Sequence, residues 1–285
     1  MNSLLVATDL SARSEHAILR AVRLVRDFGC DWTLLHVVDE DYPESVLEHQ
    51  VAQITELLLA RVDRLETLCG RRPRVLVCAG DAERCIGEMS LELGVDLVLL
   101  GRHRPSAARE AFVGTTGERV LRRARLPVLR VSGPAEEDYR GLLLALDLSP
   151  TSAAALRRSR DLGLLERYRS WVLYAFEPFA KGFMLYAGID QAQMREHVAE
   201  TERRAARALR TFLAEQEANF PEERLRVSEG APLEVVRRTQ AELRPQLLVI
   251  GTHGQLSLKK AMLGGLATAL LKEGAGDILC VPPQA

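Results

Sequence analysis

Leu4-Leu5-Val6-Ala7-Thr8-Asp9-Leu10-Ser11 returns as Leu142-Leu143-Leu144-Ala145-Leu146-Asp147-Leu148-Ser149, at an offset of 138. Further on, Asp96-Leu97-Val98-Leu99-Leu100-Gly101-Arg102-His103 returns as Gln246-Leu247-Leu248-Val249-Ile250-Gly251-Thr252-His253, at an offset of 150. Gly80 and Gly114 match Gly230 and Gly264 at that second offset. A repeat on this scale is one folding unit used twice, and 285 residues suffice for two domains. The offset grows by 12 between the second strand of the unit and Gly230, so the extra residues fall in 177–191 or in the helix that follows. Ser132-Gly133-Pro134-Ala135-Glu136-Glu137 is polar, contains Gly-Pro and reads as the connection. The expected boundaries are 1–132 for the first domain, 133–140 for the linker and 141–285 for the second.

Within each copy, short apolar runs alternate with helical patterns. Leu4–Ala7 reads as a strand. Ser11 or Ser14 can cap a helix whose apolar positions Ala17, Ile18, Ala21, Val22 and Val25 share one face, and Gly29 ends it. Trp32–Val38 is a second strand. A long helix after Pro43 carries Leu47, Val51, Ile54, Leu58, Val62 and Leu65 on one side and stops at Gly70. Val75–Cys78, Ala82–Leu93, Leu97–Leu100, Gly114–Ala124 and Val128–Val131 continue as strand, helix, strand, helix, strand, and the second copy ends at Ile278–Val281. Strands apolar on both faces, alternating with helices, predict a doubly wound parallel sheet covered on both sides. Ligands of such sheets bind beyond the carboxyl ends of the strands, where the winding reverses.

The residues just past the strands are therefore the informative ones. After its fourth strand the second copy reads Gly251-Thr252-His253-Gly254, then nine residues, then Gly264-Gly265 before a helical stretch. Glycines permit close backbone approach, and the free amides of a helix start bind anions. A phosphate-binding loop is one reading, and simple turn residues are the other. An aspartate follows the first strand in both copies. Asp9 and Asp147 can accept hydrogen bonds from ribose hydroxyls or a base amine, or can serve the start of the next helix.

Val6-Ala7-Thr8-Asp9-Leu10-Ser11, Leu34-Leu35-His36-Val37-Val38-Asp39 and the Gly-x2-Gly-x9-Gly loop before the last helix and strand together resemble the universal stress protein family, in its tandem two-domain form. The resemblance implies a five-stranded parallel sheet with helices on both faces in each domain, the adenine nucleotide alpha hydrolase-like fold. It implies ATP or another adenine nucleotide as ligand, as in many members. Carried over by position, the second copy offers Asp147, Ala175, Gly251, Gly254, Gly264 and Gly265. The first offers Asp9, Val37, Gly101, Gly114 and Thr115. Both depart from the family pattern: Arg104, followed by Pro105, replaces the second loop glycine of the first copy, and Gly265 replaces the loop hydroxyl of the second. Because Pro105 and a non-glycine side chain both oppose a left-handed residue at Arg104, the second copy is the expected phosphate binder. The family also implies that the two domains meet through their fifth strands as an internal pseudo-dimer, with room for a homodimer.

Composition narrows the classes. Net charge is −1, so no overall basic field draws nucleic acid or anionic lipid. No apolar run reaches membrane-spanning length, and with no leader pattern at Met1-Asn2-Ser3 the expected location is the cytoplasm. The five cysteines read as buried free thiols, and the histidines show no metal spacing. No Walker loop, GxSxG elbow or HExxH occurs, so no catalytic or metal residues are expected. Phe179, Phe183, Met184, Leu185 and Tyr186 form an apolar cluster after the second strand of the second copy, near the ligand edge. The expected function is nucleotide or small-molecule binding in a stress response, acting through conformation or partners. The alternatives are a slow ATPase or nucleotidyl-transfer enzyme, and a scaffold with vestigial sites.

Overall fold

The computed structural model describes residues 1–102, 116–123, 125–177, 190–253, 263–274 and 276–283. Strand β1 (Ser3–Ala7) leads to α1 (Ala12–Phe28), β2 (Asp31–Val38), α2 (Glu44–Cys69), β3 (Arg74–Ala79), α3 (Ala82–Glu92), β4 (Leu97–Gly101), α4 (Thr116–Arg123) and β5 (Val128–Val131). The second copy follows as β6 (Gly141–Leu146), α5 (Pro150–Asp161), the short α6 (Leu164–Arg167), β7 (Arg169–Phe176), α7 (Gln191–Glu215), β8 (Leu225–Glu229), α8 (Pro232–Leu243), β9 (Leu247–Gly251), α9 (Gly265–Glu273) and β10 (Asp277–Val281).

Local chemistry sets these limits. Ser11 caps α1 by accepting the Ser14 N–H, and Ser149 caps α5 by accepting that of Ser152. Gly29 and Gly70 end α1 and α2 in the left-handed conformation that glycine adopts without penalty. α2 begins at Glu44 and α7 at Gln191, so the offset has already reached 147 there. Most of the insertion therefore precedes α7, and the rest falls in the turn after it.

The ten strands form one sheet in the order β3-β2-β1-β4-β5-β10-β9-β6-β7-β8. Each half is parallel throughout, and the halves join where β5 and β10 pair antiparallel. Leu129 stands opposite Leu279, its own counterpart in the repeat, as a twofold relation between the halves requires. This closes two apolar edges that would otherwise invite aggregation.

Side chains alternate between two buried layers. Leu4, Val6, Leu34, Leu97 and Leu99 face α1 and α2, whereas Leu5, Leu35, Val98 and Leu100 face α3 and α4. Both layers continue without a break into the second copy. The connection is pinned as well. Arg23 donates to the carbonyls of Ala135 at 2.7 Å and Glu136 at 2.5 Å, and Arg20 to that of Glu137 at 2.8 Å.

Candidate functional site

β1 and β4 are neighbours, but the chain leaves them toward opposite faces of the sheet: α1 packs on one side and α4 on the other. The strand ends part there and open a cleft, and β6 and β9 repeat the arrangement. The first cleft encloses about 230 Å³ and gathers Asp9, Val37 and Gly101 with Ala82, Ile86 and Arg102. The second encloses about 100 Å³ and gathers Asp147, Ala175, Gly251, Gly264 and Gly265 with Pro232, Val236 and His253.

The two aspartates sit on matching turns. Leu10 and Leu148 both adopt φ of 61°, a left-handed conformation costing a side-chain-bearing residue about 1–2 kcal/mol. The turn is held against that cost. Asp9 Oδ1 accepts the Ser11 N–H at 3.0 Å and the Ser11 hydroxyl at 2.5 Å, while the Leu10 N–H donates to Thr8 Oγ1 at 3.0 Å. Asp147 Oδ1 accepts the Ser149 N–H at 3.1 Å and the Ser152 hydroxyl at 2.6 Å. Burial alone would raise the Asp9 carboxyl, but the hydrogen bonds from Ser11, Ser14 and the backbone outweigh it and hold the group below the usual carboxylate range. Asp9 is thus an ionised acceptor at the mouth of the cleft. A carboxylate offers about four lone-pair sites, so capacity remains after these bonds. Beneath it, burial lowers the His36 imidazole, whose Nδ1 lies 2.8 Å from the Thr8 carbonyl.

In the second cleft, the first turn of α9 contributes Gly265, Leu266 and Ala267 to the wall. The leading amides of a helix lack partners within it and carry the positive end of its dipole. Gly264 caps this helix at φ −60°, an ordinary extended conformation, and its N–H donates to the Thr252 carbonyl at 2.7 Å. The strand-end glycines have a packing reason. A β-carbon on Gly101 would lie 2.6 Å from the Arg13 carbonyl oxygen, and one on Gly251 would lie 2.7 Å from Thr151 Cγ2. These two positions let α1 and α5 cross the strand ends closely. Among the described residues, no three His, Cys, Asp or Glu side chains converge to hold a metal ion.

The sequence profile of the Universal stress protein family matches residues 1–132 and again 138–282. The chain belongs to the universal stress protein family. Universal stress protein A homolog 1 of Coxiella burnetii is 29% identical over 145 residues, which is 50% of this chain and 96% of that protein. A universal stress protein of Archaeoglobus fulgidus superposes with a TM-score of 0.70 at 15% identity, over 99% of this chain and 98% of its own. A functionally unknown protein of Pseudomonas aeruginosa PAO1 gives 0.64 at 22% identity, over 99% and 93% of the two chains. At these identities the two structures speak for the fold alone.

In this universal stress protein, Gly114, Thr115 and Gly254 lie outside the described residues, as do Arg104, Pro105 and the apolar cluster from Phe179 to Tyr186. The sequence assigns Ser11 or Ser14 a capping role alone, whereas in the structure serines also hold the aspartates, Ser11 bonding Asp9 and Ser149 and Ser152 bonding Asp147. Their signal was present, since Ser14 and Ser152 each follow their aspartate by five residues. Sequence reading passed over Ala82, Ile86, Pro232 and Val236, which reach the clefts only because α3 and α8 fold back over the strand ends.

Proposed function

We propose that this universal stress protein binds an adenine nucleotide, ATP or a close relative, at its strand-end clefts and passes the bound state to partners in a stress response. The observation that supports it is the convergence, in one cleft, of an acidic acceptor (Asp147), a strand backbone (Ala175) and a helix N-terminus (Gly264–Ala267). Asp147 would accept from ribose or base, Ala175 would offer backbone groups to the base, and the α9 amides would hold phosphate oxygens. Val37 and Asp9 would play the equivalent parts in the first cleft. The first turn of α4 also reaches the first cleft at Gly117, so the second is assigned the phosphates on its loop sequence, where Gly254 stands in place of Arg104. The larger first cavity favours the opposite assignment, with the nucleoside seated beside Asp9.

The proposed mode of action is binding in the cytoplasm, with at most weak hydrolysis. Calorimetric titration of the full chain with ATP tests the reading. Binding is expected, with a loss of tenfold or more in Asp147→Ala and a smaller loss in Asp9→Ala. The reverse order moves the site to the first cleft. No heat at any concentration, together with no nucleotide co-purifying by mass spectrometry, would favour the scaffold.

A further inference from the structure

Cys78 and Cys85 stand apart from the other thiols because they meet each other. Cys78 lies on β3, the edge strand of the sheet, paired with Val37 of β2. Cys85 lies in the first turns of α3, directly before Ile86 of the first cleft. The turn through Gly80 and Asp81 folds one onto the other. The Cys78 thiol lies within electrostatic reach of Cys85, and its Sγ is 4.0 Å from the His36 carbonyl oxygen. Cys85 Sγ lies 3.9 Å from the Ala79 carbonyl oxygen and only 2.6 Å from where a β-carbon on Gly80 would stand.

The fold does not require this pair. At the same offset of 150, the second copy carries Ser228 and Val235, and there a β-carbon on Gly230 would stand 3.2 Å from a Val235 methyl. A serine and a valine therefore fill the same corner of the same unit. Cys78 is half-buried and Cys85 buried, so the oxidant that reaches them must be small.

We propose that Cys78 and Cys85 are a redox couple, oxidised by a hydroperoxide to an intramolecular disulfide and returned to the dithiol by a small-molecule thiol. The Cys85 thiolate attacks one peroxide oxygen. The O–O bond breaks, the departing hydroxide takes a proton and leaves as water, and Cys85 becomes a sulfenic acid. The Cys78 sulfur then attacks the Cys85 sulfur. The S–OH bond breaks, and the hydroxide leaves with the Cys78 proton as a second water. Two thiols and one hydrogen peroxide thus give one disulfide and two waters. Two equivalents of small-molecule thiol reverse the change and leave as their own disulfide.

The order of attack follows from the pair's electrostatics. Burial, and then Cys85, push the Cys78 thiol up to about 12. Cys78 therefore keeps its proton, which leaves Cys85, in the first turns of α3, as the attacking sulfur. Closure draws the sulfurs to about 2.05 Å and ties the end of β3 to α3, behind Val37 and Ile86. Formation of the bond does not depend on what the first cleft binds.

Peptide mapping tests the proposal, because trypsin cleaves after Arg84, between the two cysteines. The native full chain is treated with hydrogen peroxide, its remaining thiols are alkylated, and it is then unfolded and digested. The expected product is peptide 75–84 joined to peptide 85–102, separated again by dithiothreitol. Cys78→Ser should stop at a Cys85 sulfenic acid captured by dimedone, and Cys85→Ser should leave Cys78 as an alkylated thiol. Absence of the joined pair while other cysteines oxidise would overturn the couple. Dimedone capture at Cys78 in the Cys85→Ser chain would overturn the order of attack.

Discussion

Gly265 opens α9, and a β-carbon built on it meets no heavy atom within 4 Å. A side chain is therefore tolerated there, at the position where the family pattern has a hydroxyl. Gly265→Ser is expected to tighten ATP binding by tenfold or more, since a hydrogen bond to a charged oxygen contributes about 1.5–3 kcal/mol. Gly265→Ala serves as control: it should raise stability by up to about 1 kcal/mol through helix propensity and leave affinity unchanged. Calorimetry and urea unfolding on both variants check this, and equal tightening by alanine would rule out the hydroxyl contact. Asp9 gives a pH dependence. Its folded pKa lies below the unfolded one, so its stabilisation is complete above the ordinary aspartate range and is lost as pH falls through the folded value. Wild type should exceed Asp9→Asn in denaturant midpoint at pH 7, and the gap should close once the pH falls below the folded value. The aspartates were legible because each follows a repeated strand. The roles of Gly101 and Gly251 were not, because the clash that demands glycine comes from a helix that the sequence cannot place, through the Arg13 backbone at one and the Thr151 side chain at the other.

α9 runs from the second cleft to the junction between the halves, and its far end rests on domain 1. Arg130 of β5 donates to the Leu271 carbonyl at 3.1 Å, and Arg102 packs over Gly274, which ends the helix. Cations at a helix C-terminus are favourable, yet Arg130 is buried and its Nε and Nη2 have no hydrogen-bond partner among the described residues. Burial accordingly lowers its pKa. Each buried unmet donor costs about 1–3 kcal/mol, more than one bond to a carbonyl returns. Arg130→Met, close in volume and apolar, is expected to hold or raise the urea midpoint, whereas a loss above about 2 kcal/mol would show that the helix-end contact dominates. Elements were the most legible level of the fold, since strand alternation, serine caps and left-handed glycines are local signals. The exceptions are instructive. Leu47, Val51 and Ile54 continue the apolar stripe of α2 but are only half-buried, and so are Val75, Leu76 and Val77 of β3. β3 is the sheet edge, and edge position follows from strand order rather than from a strand's own residues.

At the scale of the molecule, the decisive contact joins residues 257 apart in sequence. Arg20 of α1 donates through Nε to Asp277 Oδ2 at 3.1 Å, the Tyr139 hydroxyl donates to the same oxygen at 2.5 Å, and the Ser132 N–H donates to Oδ1 at 2.9 Å. The Arg20 guanidinium also stacks 4.0 Å over the Tyr139 ring. First domain, linker and last strand thus meet at one carboxylate. Nothing in the local sequence marks it, for Arg20 reads as one more charge on an amphipathic helix and Asp277 as a residue before a strand. Both are buried, with exposures of 6% and 5%. Removing one partner strands the others: Asp277→Ala leaves a buried guanidinium without its counter-charge, and a tyrosine hydroxyl and a backbone amide without their acceptor. Breaking a buried ion pair from one side typically costs about 3–5 kcal/mol, so Asp277→Ala should lower stability by that amount in urea unfolding. Replacing both charges, Arg20→Met with Asp277→Leu, should recover a large part of the loss, because no unpaired charge remains. Both core layers draw on both halves, so wild type should unfold in one transition followed alike by fluorescence of Trp32 in the first half and Trp171 in the second. A loss below about 1 kcal/mol in Asp277→Ala would mean that the pairing of β5 with β10 and the shared core hold the halves together without the carboxylate.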